Sequence, residues 1–257
     1  MIAVSSSIRA FCVGQAKSGT ASLAGLLRRD FRTAHEPERE ATLDLVMARD
    51  RGDFQDNDFA EALIRRDRRL RVRHRLGEPV HRRDLVKVFP TAKFVVLLGD
   101  PFSWLQSVIG HLISRDVPSD VMEFLDWWFR ADRYPPGPGD TRLDEHGLHS
   151  ITAYLMAWNR HIDTCMTAIP PERRLVLRTH ELTRSHEALA DFLEIPSASF
   201  DAGKGHQDRS TWSERLDALV ESEYLEERVQ SVSGEYLARY FPEVTELSDV
   251  SRLWASD

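Results

Sequence analysis

The residues best suited to chemistry lie in one run, Gly14-Gln15-Ala16-Lys17-Ser18-Gly19-Thr20-Ala21-Ser22. Its two glycines permit a tight turn and a close backbone approach to a ligand. Lys17 supplies a full positive charge, and Ser18, Thr20 and Ser22 supply hydroxyl donors. An apolar stretch precedes the run and an Ala/Leu-rich stretch follows it, which predicts a strand, a turn and a helix start. Free N–H groups and the helix dipole at such a start favour an anion. The chemistry implied is the holding of a phosphate or a similar oxyanion. The order of residues differs from the nucleoside-triphosphatase loop G-x-x-x-x-G-K-[ST], because Lys17 comes two residues before Gly19 instead of directly after it. The plain alternative is an ordinary strand-to-helix turn.

The elements that must position this loop follow from the hydrophobic pattern. Ile8 to Val13 reads as a buried strand ending at Gly14, and Thr20 to Arg29 as the helix after the loop. Phe31 to Ala34 and Leu70 to Val72 read as short strands, and Ala41 to Arg49 and Phe59 to Arg66 as helices. Lys93 to Leu98 is apolar after its first residue, the pattern of a parallel strand buried on both faces. Gly99-Asp100-Pro101 ends it, with Asp100 expected to cap a helix over Phe102 to Ile113. Further helices are expected over Val121 to Phe129, Leu148 to Ile169, Ser185 to Leu193 and Arg215 to Tyr240, with a strand over Arg174 to Leu177. Tyr134 to Gly139, rich in Pro and Gly, reads as an exposed loop, and Phe200 to Trp212 as irregular.

Alternating strands and helices predict an α/β class: a single-domain, three-layer fold with a central, mostly parallel sheet flanked by helices, P-loop-like. The domain is expected to span residues 1–257, with a nucleotide-binding core at about 8–200 and a C-terminal helical segment at about 213–257. In such sheets ligands bind beyond the carboxyl ends of the strands, where the turns after Val13 and Leu98 both fall.

Composition narrows the function classes. A net charge of −7 over 257 residues argues against general nucleic-acid binding. The stretch Arg65 to Arg75 is strongly basic within this acidic chain, which suits either a solvated helix end and strand or an anion-attracting rim. Two cysteines, Cys12 and Cys165, make no disulfide framework and no metal-type spacing, so no metal site is expected. Ile2-Ala3-Val4 is followed by three serines and does not read as a signal peptide, and no stretch approaches a membrane span. The expectation is a soluble cytoplasmic protein that works without nucleic acid or membrane.

Ala16-Lys17-Ser18-Gly19-Thr20-Ala21 resembles P-K-S-G-T-T, the first loop of the sulfotransferases that use 3′-phosphoadenosine 5′-phosphosulfate (PAPS), with Ala16 for Pro and Ala21 for the second Thr. Lys93 to Ser107 is similar to the second signature of that family, a strand, R-D-P and a helix carrying a Ser. Tyr154 to His161, Pro170 to Leu182 and Leu189 to Pro196 extend the likeness in order, and Gly203-Lys204-Gly205-His206 is loosely similar to a late loop over the nucleotide. The resemblance implies that Lys17 and the amides of Ser18 to Ala21, with Ser22 beside them, bind the 5′-phosphosulfate. It implies that Ser107 meets the 3′-phosphate and that Lys204 approaches the nucleotide. Gly99 stands where the family has Arg and removes a bidentate, charge-assisted contact; Arg73, Arg75 and Arg115 are the candidates to replace it.

Sulfuryl transfer to a hydroxyl or amine also needs a base for the acceptor's proton. The candidates are Glu36 with His35, His74, and His111, which follows Ser107 by one helical turn. Their structural alternatives are a cap ahead of Pro37, a surface residue and a core residue. Trp127, Trp128 and Trp158 read as core or acceptor-cleft wall, and Glu181 as a fold-stabilising carboxylate. The implied acceptor is a small molecule or a carrier-bound metabolite, and the implied product is adenosine 3′,5′-bisphosphate, with no metal. Two other readings are a P-loop kinase-like nucleotide enzyme and a catalytically impaired binding protein on the sulfotransferase fold.

Overall fold

The structure is a computed structural model that describes residues 10–27, 33–35, 47–49, 51–53, 72–75, 82–114, 117–200 and 216–255. In chain order its main elements are β1 (Ala10–Gly14), α1 (Thr20–Leu27), β2 (Thr33–His35), β3 (Val72–Arg75), α2 (Arg82–Val88), β4 (Lys93–Leu98), α3 (Pro101–Ile113), α4 (Ser119–Phe129), α5 (Thr141–Glu145), α6 (Ile151–Ala168), β5 (Arg174–Arg178), α7 (His186–Leu193), α8 (Ser222–Tyr240) and α9 (Asp249–Ala255). They fall into two compact units, Met1–Leu98 with His161–Asp208, and Gly99–Arg160 with Arg209–Asp257.

The first unit carries the sheet, in the order β2-β3-β1-β4-β5. Every pairing is parallel. Side chains alternate across it. Cys12, Val95, Leu97 and Leu177 share one face with Leu23, Leu26 and Leu27 of α1 and with Leu189 and Ala190 of α7. On the other face Phe11 stacks on Phe94 at 5.4 Å and meets Phe89, just beyond α2, at 5.0 Å. Burial on both faces explains why β1 and β4 are apolar without alternation. Arg173 ties the end of α2 to the sheet: it donates to Ala92 O at 2.9 Å and Val86 O at 3.3 Å, and lies over the Phe94 ring. The strand order reverses at β1, so the chain leaves its carboxyl end at the topological switch point, where open α/β sheets take their ligands.

The second unit is helical among the described residues. Trp158 is buried, with its indole N–H donating to Gly99 O at 3.1 Å and its ring near Tyr236 and Phe241. Tyr154 packs edge-on against Phe129 at 4.5 Å and Trp104 at 6.3 Å. Trp128 is buried against Phe124, while Trp127 is half-buried. Trp128 and Trp158 therefore belong to the core. No helix among the described residues is long and apolar enough to cross a membrane.

Some elements differ from what the sequence predicts. The third strand is Val72–Arg75 and not Leu70 to Val72, because pairing with both β1 and β2 holds Arg73, His74 and Arg75 extended despite their polarity. The long helix begins at Ile151 and not at Leu148, because the Ser150 hydroxyl accepts from Ala153 N at 3.1 Å and caps it. Helices α2, α5 and α9, of 7, 5 and 7 residues, span at most two turns, too short for apolar spacing to announce them in the sequence.

Candidate active site

The loop after β1 is built by its own short contacts. Ser18 donates to Gln15 O twice, from its backbone N at 3.1 Å and from its hydroxyl at 2.8 Å. The turn so closed places Lys17 third, at φ 66°, a position where type II turns favour Gly or Asn. Gly19 follows at φ 83°. Leu23 N donates to Gly19 O at 3.1 Å, the first helical bond of α1, so the amides of its first turn have no acceptor within the helix. Alternating left-handed residues and a helix N-terminus form a concave set of N–H groups of the kind that binds anions. Gln15, Ser18 and Thr20 are buried beneath this surface, and Lys17 is half-buried.

Both glycines are required by contact. A Cβ on Gly14 would stand 2.4 Å from Ser18 Oγ and 2.5 Å from Thr20 Cγ2. A Cβ on Gly19 would stand 2.7 Å from the methyl of Thr179, in addition to the cost of its positive φ. Thr179 follows β5, and its hydroxyl donates to Ser18 O at 2.9 Å. Two residues on, Glu181 takes a forked contact from Arg178, Nε to Oε2 at 2.9 Å and Nη2 to Oε1. That hydrogen bond holds the Glu181 carboxyl below the usual carboxylate range. Glu181 thus ties down the turn after β5, which suits the structural role expected of it.

In the second unit, Gly99 and Asp100 lead into α3. Asp100 Oδ1 accepts from Ser103 N at 2.8 Å with Pro101 in the first helical position, so the expected cap is present. Ser103, Ser107 and His111 recur every four residues along α3 and are all half-buried, which places them on one face. Beside them Gln106 Oε1 accepts from Leu216 N at 2.6 Å.

Asp100 is 1% exposed, and its Oδ2 has no hydrogen-bond partner among the described residues. Burial pushes its carboxyl above the ordinary range, against the hydrogen bonds from Ser103 that pull it down. A raised carboxyl pKa means the folded state binds more protons than the unfolded one. Wild-type stability therefore falls as pH rises from the ordinary carboxylate range through the folded value. Asp100→Asn keeps the capping oxygen and has nothing to titrate. It is expected to gain stability relative to wild type as pH rises from the ordinary carboxylate range upward. Urea unfolding across that range checks this; parallel pH slopes would contradict it.

The other expected residues divide by location. His35 ends β2 and stands level with His74 of β3, which in turn stands level with Cys12 of β1. The sheet thus brings two candidate bases to neighbouring positions at the carboxyl ends of adjacent strands. Arg73 and Arg75 lie on β3. Glu36, Lys204, Arg115, the helix expected over 59–66 and residues 41–46 of the helix expected over 41–49 lie outside the described residues, and 47–49 are helical. Thr179 is the site residue that sequence reasoning missed: it meets the loop across 161 positions, and nothing local distinguishes it from any other threonine.

Residues 9–208 match the family of the sulfotransferase domain. The chain belongs to that family and is a sulfotransferase. No curated protein matches it. Among solved structures it is similar to a sulfotransferase from Alicyclobacillus acidocaldarius, at 18% identity over 97% of this chain and 95% of that one, with a TM-score of 0.49. It is similar to sulfotransferase STF9 from Mycobacterium avium, at 13% identity over 91% and 76%, with a TM-score of 0.48. A mouse sulfotransferase, SULT7A1, complexed with PAP, shares 17% identity over 97% and 89%, with a TM-score of 0.38.

Proposed function

We propose that this sulfotransferase takes the sulfuryl group from PAPS and transfers it to a hydroxyl or amine of a small-molecule or carrier-bound acceptor, leaving adenosine 3′,5′-bisphosphate. The observation that carries the reading is the Gln15–Gly19 turn, which holds Lys17 at a positive φ and opens onto the N-terminus of α1. Its donor set fits a phosphosulfate: one cation and a run of amides, on a turn whose two glycines let it close against Ser18, Thr20 and Thr179. Bound there, PAPS supplies an activated sulfuryl group on a phosphate leaving group.

The chain's own residues do the rest. Lys17, the amides of Gly19 to Ala21, and Ser22 meet the negative charge that builds on the leaving oxygen, while the Ser18 amide, bound to Gln15 O, shapes the turn. Ser107 takes the 3′-phosphate, where Gly99 offers no guanidinium, and Lys204 approaches the nucleotide. One of His35, Glu36, His74 and His111 takes the acceptor's proton as the new bond to sulfur forms. By analogy with phosphoryl transfer, such a site works by positioning and charge.

Two measurements test this. Calorimetry should find binding of adenosine 3′,5′-bisphosphate and none of ATP; the reverse order of affinity would favour a kinase-like enzyme. Radiolabelled sulfate should pass from PAPS to an acceptor pool, and its absence with every hydroxyl or amine acceptor tried would count against the donor. Gly99→Arg is expected to tighten adenosine 3′,5′-bisphosphate binding by about tenfold or more, in line with about 1.5 kcal/mol or more for a charge-assisted contact. The substitution leaves the Gly99 carbonyl free to keep its bond from Trp158. No gain in calorimetric affinity would mean that another group already serves the 3′-phosphate.

A further inference from the structure

We propose that Thr179 is a positioning residue that fixes the Ser18–Gly19 peptide plane and so aims the Gly19 N–H at the anion held by the loop. The inference rests on the PAPS reading for the identity of that anion. Three observations meet on one peptide. The Thr179 hydroxyl donates to Ser18 O at 2.9 Å. The Thr179 methyl occupies the space beside Gly19, only 2.7 Å from where a Cβ would be. Gly19 itself stands at φ 83°.

In a trans peptide the C=O and N–H point in opposite directions, and no cis bond is present among the described residues. Anchoring Ser18 O toward β5 therefore turns the Gly19 N–H to the opposite side, away from Thr179. Glycine does not hold that orientation by itself, because it adopts φ of either sign with similar ease. A flipped plane would present Ser18 O, the negative end of the dipole, to an incoming oxyanion. Gln15 O fixes the other half of the turn through both donors of Ser18, which leaves the Ser18–Gly19 peptide as the part that Thr179 must secure.

The test compares Thr179→Val, which keeps the shape and loses the donor, with Thr179→Ser, which keeps the donor and loses the methyl. Thr179→Val should raise the PAPS KM and the Kd for adenosine 3′,5′-bisphosphate about tenfold, the loss of one oriented hydrogen bond. Thr179→Ser should stay within about twofold of wild type on both. In the ligand-free protein, the Gly19 amide should shift its NMR position and its hydrogen-exchange rate in the Val variant and not in the Ser variant. A merely structural threonine would lower stability without moving KM or that amide. Wild-type protein that binds no adenosine 3′,5′-bisphosphate would sink the PAPS reading, and the Gly19 amide would then decide the positioning claim. Wild-type binding with an unmoved Gly19 amide and unchanged affinity in Thr179→Val would overturn the positioning claim and leave the PAPS reading intact. If the Val variant fails to fold, a Ser variant that loses affinity about tenfold overturns it as well.

Discussion

Lys17→Ala is expected to lower sulfuryl transfer from PAPS by at least about tenfold, equivalent to about 1.4 kcal/mol of transition-state stabilisation. The unfolding transition should stay at or slightly above that of wild type. Two properties of the position lead there. Its ammonium is the one side-chain charge of the 14–22 run, and in the proposed reaction charge on the leaving oxygen is greatest in the transition state. Its backbone sits at φ 66°, where a residue with a Cβ is strained. Lys17→Gly separates these two effects. It should lose activity as Lys17→Ala does, yet gain up to about 1 kcal/mol in stability, because glycine removes the left-handed penalty. Single-turnover kinetics with PAPS and urea unfolding on the same preparations check both halves. Unchanged turnover in Lys17→Ala would contradict the assignment of the loop, and a destabilised Lys17→Gly would contradict the strain argument. A side chain held at positive φ in a loop that could have used glycine is a cost retained for the ammonium.

The parts of this fold that sequence reasoning reached are those whose signal is local. β4 matches its expected span, Lys93 to Leu98, because burial on both faces leaves a continuous apolar run. The Asp100 cap and the loop glycines are legible because turn and cap chemistry is written in neighbouring residues. β3 was misplaced for the opposite reason. Its charged residues become a strand only when β1 and β2 close on either side, and pairing information is not local. The same limit hid Thr179, and it hid the level placement of His35 and His74, which are far apart in sequence but on adjacent strands. Gly99 is a different case. Its departure from the family pattern is visible in the sequence, and the structure adds that its carbonyl already serves Trp158, which ties this turn to the aromatic core of the second unit.

That second unit has its own keystone in Asp140, and Asp140→Ala should be the most destabilising of the substitutions considered, at about 3–5 kcal/mol. The carboxylate is 1% exposed and serves three donors: Gly137 N at 2.9 Å and Tyr224 OH at 3.0 Å on Oδ2, and Ile151 N at 3.0 Å on Oδ1. It thereby joins the Pro/Gly-rich turn, the first turn of α6 and the N-terminal part of α8. Removing it leaves three inward-facing donors without their acceptor, each costing about 1–3 kcal/mol before relaxation. Tyr224→Phe removes one of those bonds and leaves the carboxylate with two donors, so it should cost only about 1 kcal/mol. Burial and Asp140 push the Tyr224 phenol up to about 12, which keeps it a donor at neutral pH. Gly139 fits the same arrangement, since a Cβ there would stand 2.6 Å from the Tyr224 ring. A double-mutant cycle on Asp140 and Tyr224, read by urea unfolding, isolates the shared bond. A loss below about 1 kcal/mol for Asp140→Ala would mean the turn finds other acceptors. In protein kept below its unfolding transition, Asp140→Ala should leave the affinity for adenosine 3′,5′-bisphosphate close to wild type, because none of its three bonds involves a residue assigned to the nucleotide. Lys17 and Asp140 thus make opposite demands, loss of turnover without loss of stability and loss of stability without loss of affinity, and a variant of either that lost both would break the division between loop and scaffold on which the assignment stands.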